Sequence, residues 1–139
     1  MNSQQKAVKA AIDAFYEARR TKDLEGMSEL IAHEKDCIHF GTDADERWAG
    51  WEKLKKDTIA QFKAQKNLKV SYRDLHIHVS ESGDTAWFSQ IVDLEGKSKG
   101  GVFDLTGARF TGVLQLREGK WVFVQSHLSL PVEGQAAAY

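Results

Sequence analysis

The sequence predicts an α+β domain, with three helices packed on one face of a curved antiparallel sheet. In the N-terminal half, apolar residues recur at helical spacing, in Val8, Ala11, Ile12 and Phe15 and again in Trp51, Leu54, Thr58, Ile59 and Phe62. From Leu68 the period changes to two, as half-buried strands require. The stretch Arg109–Pro131, RFTGVLQLREGKWVFVQSHLSLP, reads as two long strands about a tight turn.

The first helix should run from about Ser3 to Thr21, with Asn2 or Ser3 as its cap and the aliphatic stem of Arg19 on the apolar stripe. Asp23 is a good cap for a shorter second helix bearing Leu24, Met27, Leu30 and Ile31. Cys37–Gly41, CIHFG, reads as a short strand, and TDADERWAG as a loop before the third helix. Leu68, Val70 and Tyr72 alternate with polar residues; beyond Asp74 the apolar parity flips to Leu75, Ile77 and Val79, which is what a β-bulge produces. The turn ESGD leads to a strand from about Thr85 to Leu94, and EGKSKGG reads as a loose loop before the last two strands.

REGK is compatible with a type I turn at Arg117–Glu118, with Gly119 left-handed as a bulge. Leu116 then pairs with Lys120, Gly112 faces Val124, Phe110 faces Ser126 and Ala108 faces Leu128. Directly opposed residues share a face. The inner face becomes Phe110, Gly112, Leu114, Leu116, Val122, Val124, Ser126 and Leu128. The outer face becomes Arg109, Thr111, Val113, Gln115, Trp121, Phe123, Gln125 and His127, whose aromatic and arginine content suits a subunit interface.

At 139 residues the chain makes one domain, spanning 1–139 with a core of about 5–131 and a tail from 132. A formal net charge of -1 gives no field that collects nucleic acid or anionic membrane. The lone Cys37 excludes an intramolecular disulfide, no apolar run reaches membrane-spanning length, and MNSQQKAVKAAID lacks the apolar core of a signal peptide. The expectation is a cytoplasmic protein.

His39 is the candidate general base, because an ordinary imidazole titrates near neutrality. Strict alternation in CIHFG, however, turns Ile38 and Phe40 inward and His39 out. Cys37 shares a face with His39 but lies roughly 6.5 Å along the strand, too far for a thiol–imidazole hydrogen bond. His76 and His78 share one strand face without further ligand spacing, so no metal is expected. Asp43 or Asp45 should close a turn, with Glu46 pairing with a nearby base, and Trp48 and Trp51 flank the start of the third helix. Gly96-Lys97-Ser98 is not a phosphate loop, since Ile91 occupies the position of its first glycine, and no GxSxG elbow exists.

Gly41-Thr42-Asp43 with Glu46, Trp48 and Gly50, then Arg109-x-Thr111, Gly119-x-Trp121 and His127-x-Ser129-x-Pro131, resemble the SnoaL-like branch of the nuclear-transport-factor-2-like superfamily. The ending EGKWVFVQSHLS is also similar to the association domain of calcium/calmodulin-dependent kinase. The resemblance covers about residues 5–131. It implies a cone-shaped, cystatin-like fold, an apolar pocket at its wide end, and a homodimer through the outer sheet face with Arg109, Trp121, Phe123 and His127. Carried over from ketosteroid isomerase, the tyrosine position falls on Phe15 with Tyr16 next to it, the base on His39, and the oxyanion-binding aspartic acid on Gly112. Two pocket arginines of the kinase domain fall on Gly112 and Leu128. The implied ligand-binding set is Phe15, Tyr16, His39, Trp48, Phe88, Gln90, Phe110, Gly112, Ser126 and Leu128. The expected function is binding of a small, mostly apolar molecule without a cofactor. The alternatives are an isomerase, cyclase or hydrolase using His39 as general base, and an oligomerisation module.

Overall fold

A computed structural model describes residues 1–139. Helix α1 spans Ser3–Thr21. Its start is fixed by a reciprocal cap: the Gln5 amide donates to Asn2 Oδ1 at 2.8 Å, and the Asn2 amide donates to Gln5 Oε1 at 3.0 Å. It ends at Lys22, whose φ of 60° is left-handed. Helix α2, Leu24–Leu30, follows with the Gly26 amide donating to Asp23 Oδ1 at 2.9 Å. Helix α3, Trp51–Ala64, buries Trp51, Leu54 and Thr58. Helices α1 and α2 follow the predicted spacing and caps; α3 follows the predicted spacing, with no side-chain cap at Gly50.

The six-stranded sheet has the order β2-β1-β6-β5-β4-β3, with β1 Ile38–Phe40, β2 Arg47–Ala49, β3 Lys66–Val79, β4 Thr85–Ser98, β5 Gly101–Arg117 and β6 Lys120–Ser129. Every neighbouring pair is antiparallel except β1 with β6, which is parallel. The sheet is therefore mixed, and β2 is a strand inside the segment expected to be a loop. Near Asp74, at a φ of 55°, β3 carries the anticipated bulge: the register passes from Arg73↔Ile91 to His76↔Ser89.

Two further expectations fail. EGKSKGG is a hairpin extension, because β4 continues to Ser98 and pairs with β5 from Gly101 onward. The glycine that suggested a loop makes room for an aromatic ring: a Cβ on Gly96 would lie 2.9 Å from Phe103 Cζ. The last hairpin closes through the two residues Glu118 and Gly119, at φ values of 50° and 78°, between paired Arg117 and Lys120. That is the signature of a type I′ turn, whose twist matches the strands better than type I.

The shorter turn moves Trp121 opposite Leu116 and Phe123 opposite Leu114. Both aromatics turn into the core, at 8 % and 0 % exposure, so neither belongs to the outer face assigned to them. Leu116, beside the turn, is exposed although it shares Trp121's face, and Val122 packs with Ala32 and Cys37 in a small separate cluster. A bulge between Phe123 and Gln125 then restores parity, pairing Gly112 with Ser126 and Phe110 with Leu128. Ser126 is thus buried while Gln125 and His127 are exposed. The main core joins Ile12, Tyr16 and Met27 from the helices to Phe88, Phe110, Leu114 and Phe123 from the sheet. Phe15 stacks on Phe110 with centroids 5.5 Å apart. No helix is long and apolar enough to cross a membrane.

Candidate functional site

Between the helices and the inner sheet face lies a cavity of about 340 Å³ lined by 25 residues, 14 of them hydrophobic. Its polar end is built by strand pairing. His39 pairs with Trp48 across β1/β2 and with Ser126 across β1/β6, so the three side chains form one row on one face. All three line the cavity. The parallel docking of β1 on β6 decides against simple alternation: His39 is 2 % exposed, while Phe40 is half-exposed and packs on His127 at 5.2 Å.

His39 Nδ1 lies 2.7 Å from Ser126 Oγ, and Nε2 has no partner in the protein. Burial pushes the imidazole pKa down from 6.5 to about 4, so the ring is neutral at pH 7. In either neutral tautomer Ser126 Oγ can complete the Nδ1 hydrogen bond, leaving Nε2 free as donor or acceptor. On α3, Thr58 is 1 % exposed, lines the same cavity, and its Oγ1 is likewise unpartnered. Trp48 is held by its indole N–H, which donates to Asp57 Oδ2 at 2.6 Å.

Phe15, Tyr16, Phe110 and Leu128 also line the cavity. The Tyr16 hydroxyl donates to Gln90 Oε1, and burial raises its pKa. Three residues assigned to the ligand-binding set lie off the cavity lining: Phe88, Gln90 and Gly112. Gln90 is 2 % exposed and supports Tyr16 from behind, with Nε2 unpartnered. The gap at Gly112 is already filled, since a Cβ there would lie 2.9 Å from Phe88 Cε1 and 2.8 Å from the Gln125 carbonyl. The missing side chain makes room for the Phe88 ring and not for a ligand.

Cys37 is buried outside the lining and donates to Glu34 Oε2 at 3.3 Å; burial pushes its pKa up to about 11, which keeps it a thiol. His76 bonds Asp74 at 2.9 Å, and His78 stacks on Trp87 at 4.5 Å, both outside the lining. Glu46 makes no ion pair. Its Oε1 instead accepts from the Asp43 amide at 3.0 Å and from Thr42 Oγ1 at 3.4 Å, closing the loop at the cavity rim.

Arg19 and Gln61 also line the cavity and were not anticipated there. Arg19 Nη2 donates to Gln61 Oε1 at 2.5 Å. The arginine forms none of the chain's ion pairs, and burial holds its pKa below the ordinary value despite the opposing pull of Glu46. The sequence signal was its position one helical turn after Phe15, which carries it onto the same face.

Solved structures share this fold across nearly the whole chain. A nuclear transport factor 2-like superfamily protein from Salmonella enterica is similar at 15% identity and a TM-score of 0.84, covering 99% of this chain and 98% of that one. A cystatin-like-fold protein from Caulobacter vibrioides is 19% identical at a TM-score of 0.75, with 95% and 92% covered. A ketosteroid isomerase-like protein from Erwinia carotovora atroseptica is 15% identical at 0.75, with 95% and 99% covered. No curated protein matches the chain in sequence. The SnoaL-like domain family matches residues 8–133, and with the fold and cavity described above the chain belongs to that family, on the nuclear-transport-factor-2-like fold.

Proposed function

We propose that the chain binds a small, mostly apolar molecule in this cavity, oriented by a hydrogen bond to His39. The observation that carries the reading is an apolar-lined cavity holding two buried polar atoms, His39 Nε2 and Thr58 Oγ1, that the protein leaves unpartnered. Buried polar groups are nearly always satisfied, and leaving one without a partner costs roughly 1–3 kcal/mol. A ligand's polar groups would partner these atoms while its body lies against Phe15, Leu54, Phe110 and Leu128. The volume falls within the range of small-molecule sites, about 300–1,000 Å³.

A second reading, proton transfer by His39, draws on the same free Nε2. An imidazole whose conjugate acid titrates at about 4 is a weak base at neutral pH, which favours binding over proton abstraction. The oligomerisation reading loses two of its anchors, because Trp121 and Phe123 are inside the core.

Titration with N-phenyl-1-naphthylamine, a neutral probe that fluoresces in apolar surroundings, tests the binding reading. Saturable one-to-one enhancement is expected. Leu128→Trp, which fills the cavity, should weaken it roughly tenfold or more if most of the probe's contact area lies there. Enhancement unaffected by Leu128→Trp in a protein of unchanged circular dichroism would contradict it.

A further inference from the structure

Arg19 narrows the class of molecule the cavity would take. A guanidinium carries five donors and a permanent charge; Arg19 is partly buried at the cavity wall, and the donors it turns away from water need partners. Here one neutral acceptor, Gln61 Oε1, meets it at 2.5 Å, and the Phe15 ring lies under it with Cζ 5.8 Å from the centroid. No carboxylate completes the pairing. Glu46 is the acidic group whose field reaches it, yet that carboxylate is engaged by the Asp43 amide and the Thr42 hydroxyl. Gln61 comes from α3 and Arg19 from α1, so their contact bridges two helices and fixes the guanidinium at the cavity wall.

We propose that the cavity's ligand is an amphipathic carboxylate: its acid group pairs with the Arg19 guanidinium while its apolar body lies against Phe15, Leu54 and Leu128. The proposal rests on the binding reading above and adds the charge. A planar carboxylate matches the arginine fork and can accept two parallel N–H bonds, which a neutral amide cannot do. Burial lowers the Arg19 pKa, which is the sign expected of a cation short of a counter-ion.

The test compares naphthalene-2-carboxylate with naphthalene-2-carboxamide, similar in shape and differing in charge, by isothermal titration calorimetry. On the unaltered protein the carboxylate should bind tighter by roughly tenfold or more, as a charge-assisted pair implies. The ratio should collapse towards one in Arg19→Gln and be partly kept in Arg19→Lys. Carboxylate binding no tighter than carboxamide on the unaltered protein, including the case in which neither binds, overturns the proposal. If N-phenyl-1-naphthylamine still binds in that case, the cavity reading survives; if it also fails, both fall.

Discussion

His39 is where strand alternation and the structure differ most usefully: alternation alone turns it outward, while the resemblance and the structure turn it into the cavity. Cys37 and His39 do not pair, as their spacing along the strand implied: the thiol donates to Glu34 and its pKa is high, while the imidazole bonds Ser126 and its pKa is low. The depressed pKa links folding to pH. Above pH 6.5 His39 is neutral in both folded and unfolded chains, and its contribution is fully present. As pH falls from 6.5 towards about 4, the unfolded chain takes up a proton that the folded chain refuses, and stability is lost. The 6.5-to-4 window corresponds to on the order of 3 kcal/mol. Chemical denaturation at pH 7 and pH 4 should show His39→Gln losing less stability across this window than the unaltered protein, by about that amount. Equal losses would mean that the ring is protonated when folded.

The elements divide by how local their causes are. Helices α1 and α2 were legible because Asn2 and Asp23 cap them within a few residues. The β3 bulge was legible because the apolar parity visibly flips at Asp74. The last hairpin was half legible. Nothing in REGK separates a three-residue from a two-residue closure, and the compensating bulge near Val124 leaves no mark in an unbroken apolar run. The two departures cancel beyond the bulge, so Ser126 and Leu128 were placed on the correct face while Trp121 and Phe123 were not. His39's direction was legible only by resemblance, since it depends on a parallel pairing with a strand nearly ninety residues away. Arg19 was not legible as a cavity group, because a long stem on an apolar stripe reads equally well as packing. The type I′ turn carries its own prediction. Glu118 adopts a φ of 50°, a region that asparagine tolerates better than glutamate. Glu118→Asn should raise the urea midpoint at unchanged slope, by about 0.5 kcal/mol. A lowered midpoint would argue against this turn.

At the scale of the molecule, the site is a consequence of how the layers meet. Phe15, Phe110 and Phe123 fill the space between α1 and the inner sheet face, with Phe15 and Phe123 centroids 5.2 Å apart. Beyond them, the row Ser126, His39 and Trp48 and the helix groups Arg19, Thr58 and Gln61 surround space that no side chain occupies. Family membership fixes this architecture and leaves the occupant open, since sites on one fold serve many chemistries. The outer face is a different surface, with His127 exposed on β6 and His76 and His78 on β3. The histidines thus report separately on the inside and outside of the sheet. The most direct test of the binding reading is to follow the imidazole nitrogens by ¹H–¹⁵N NMR during a titration with N-phenyl-1-naphthylamine. Binding in the cavity predicts that His39 Nε2 shifts to saturation at one equivalent while His76, His78 and His127 stay fixed; movement of the outer-face histidines with His39 unchanged would contradict it.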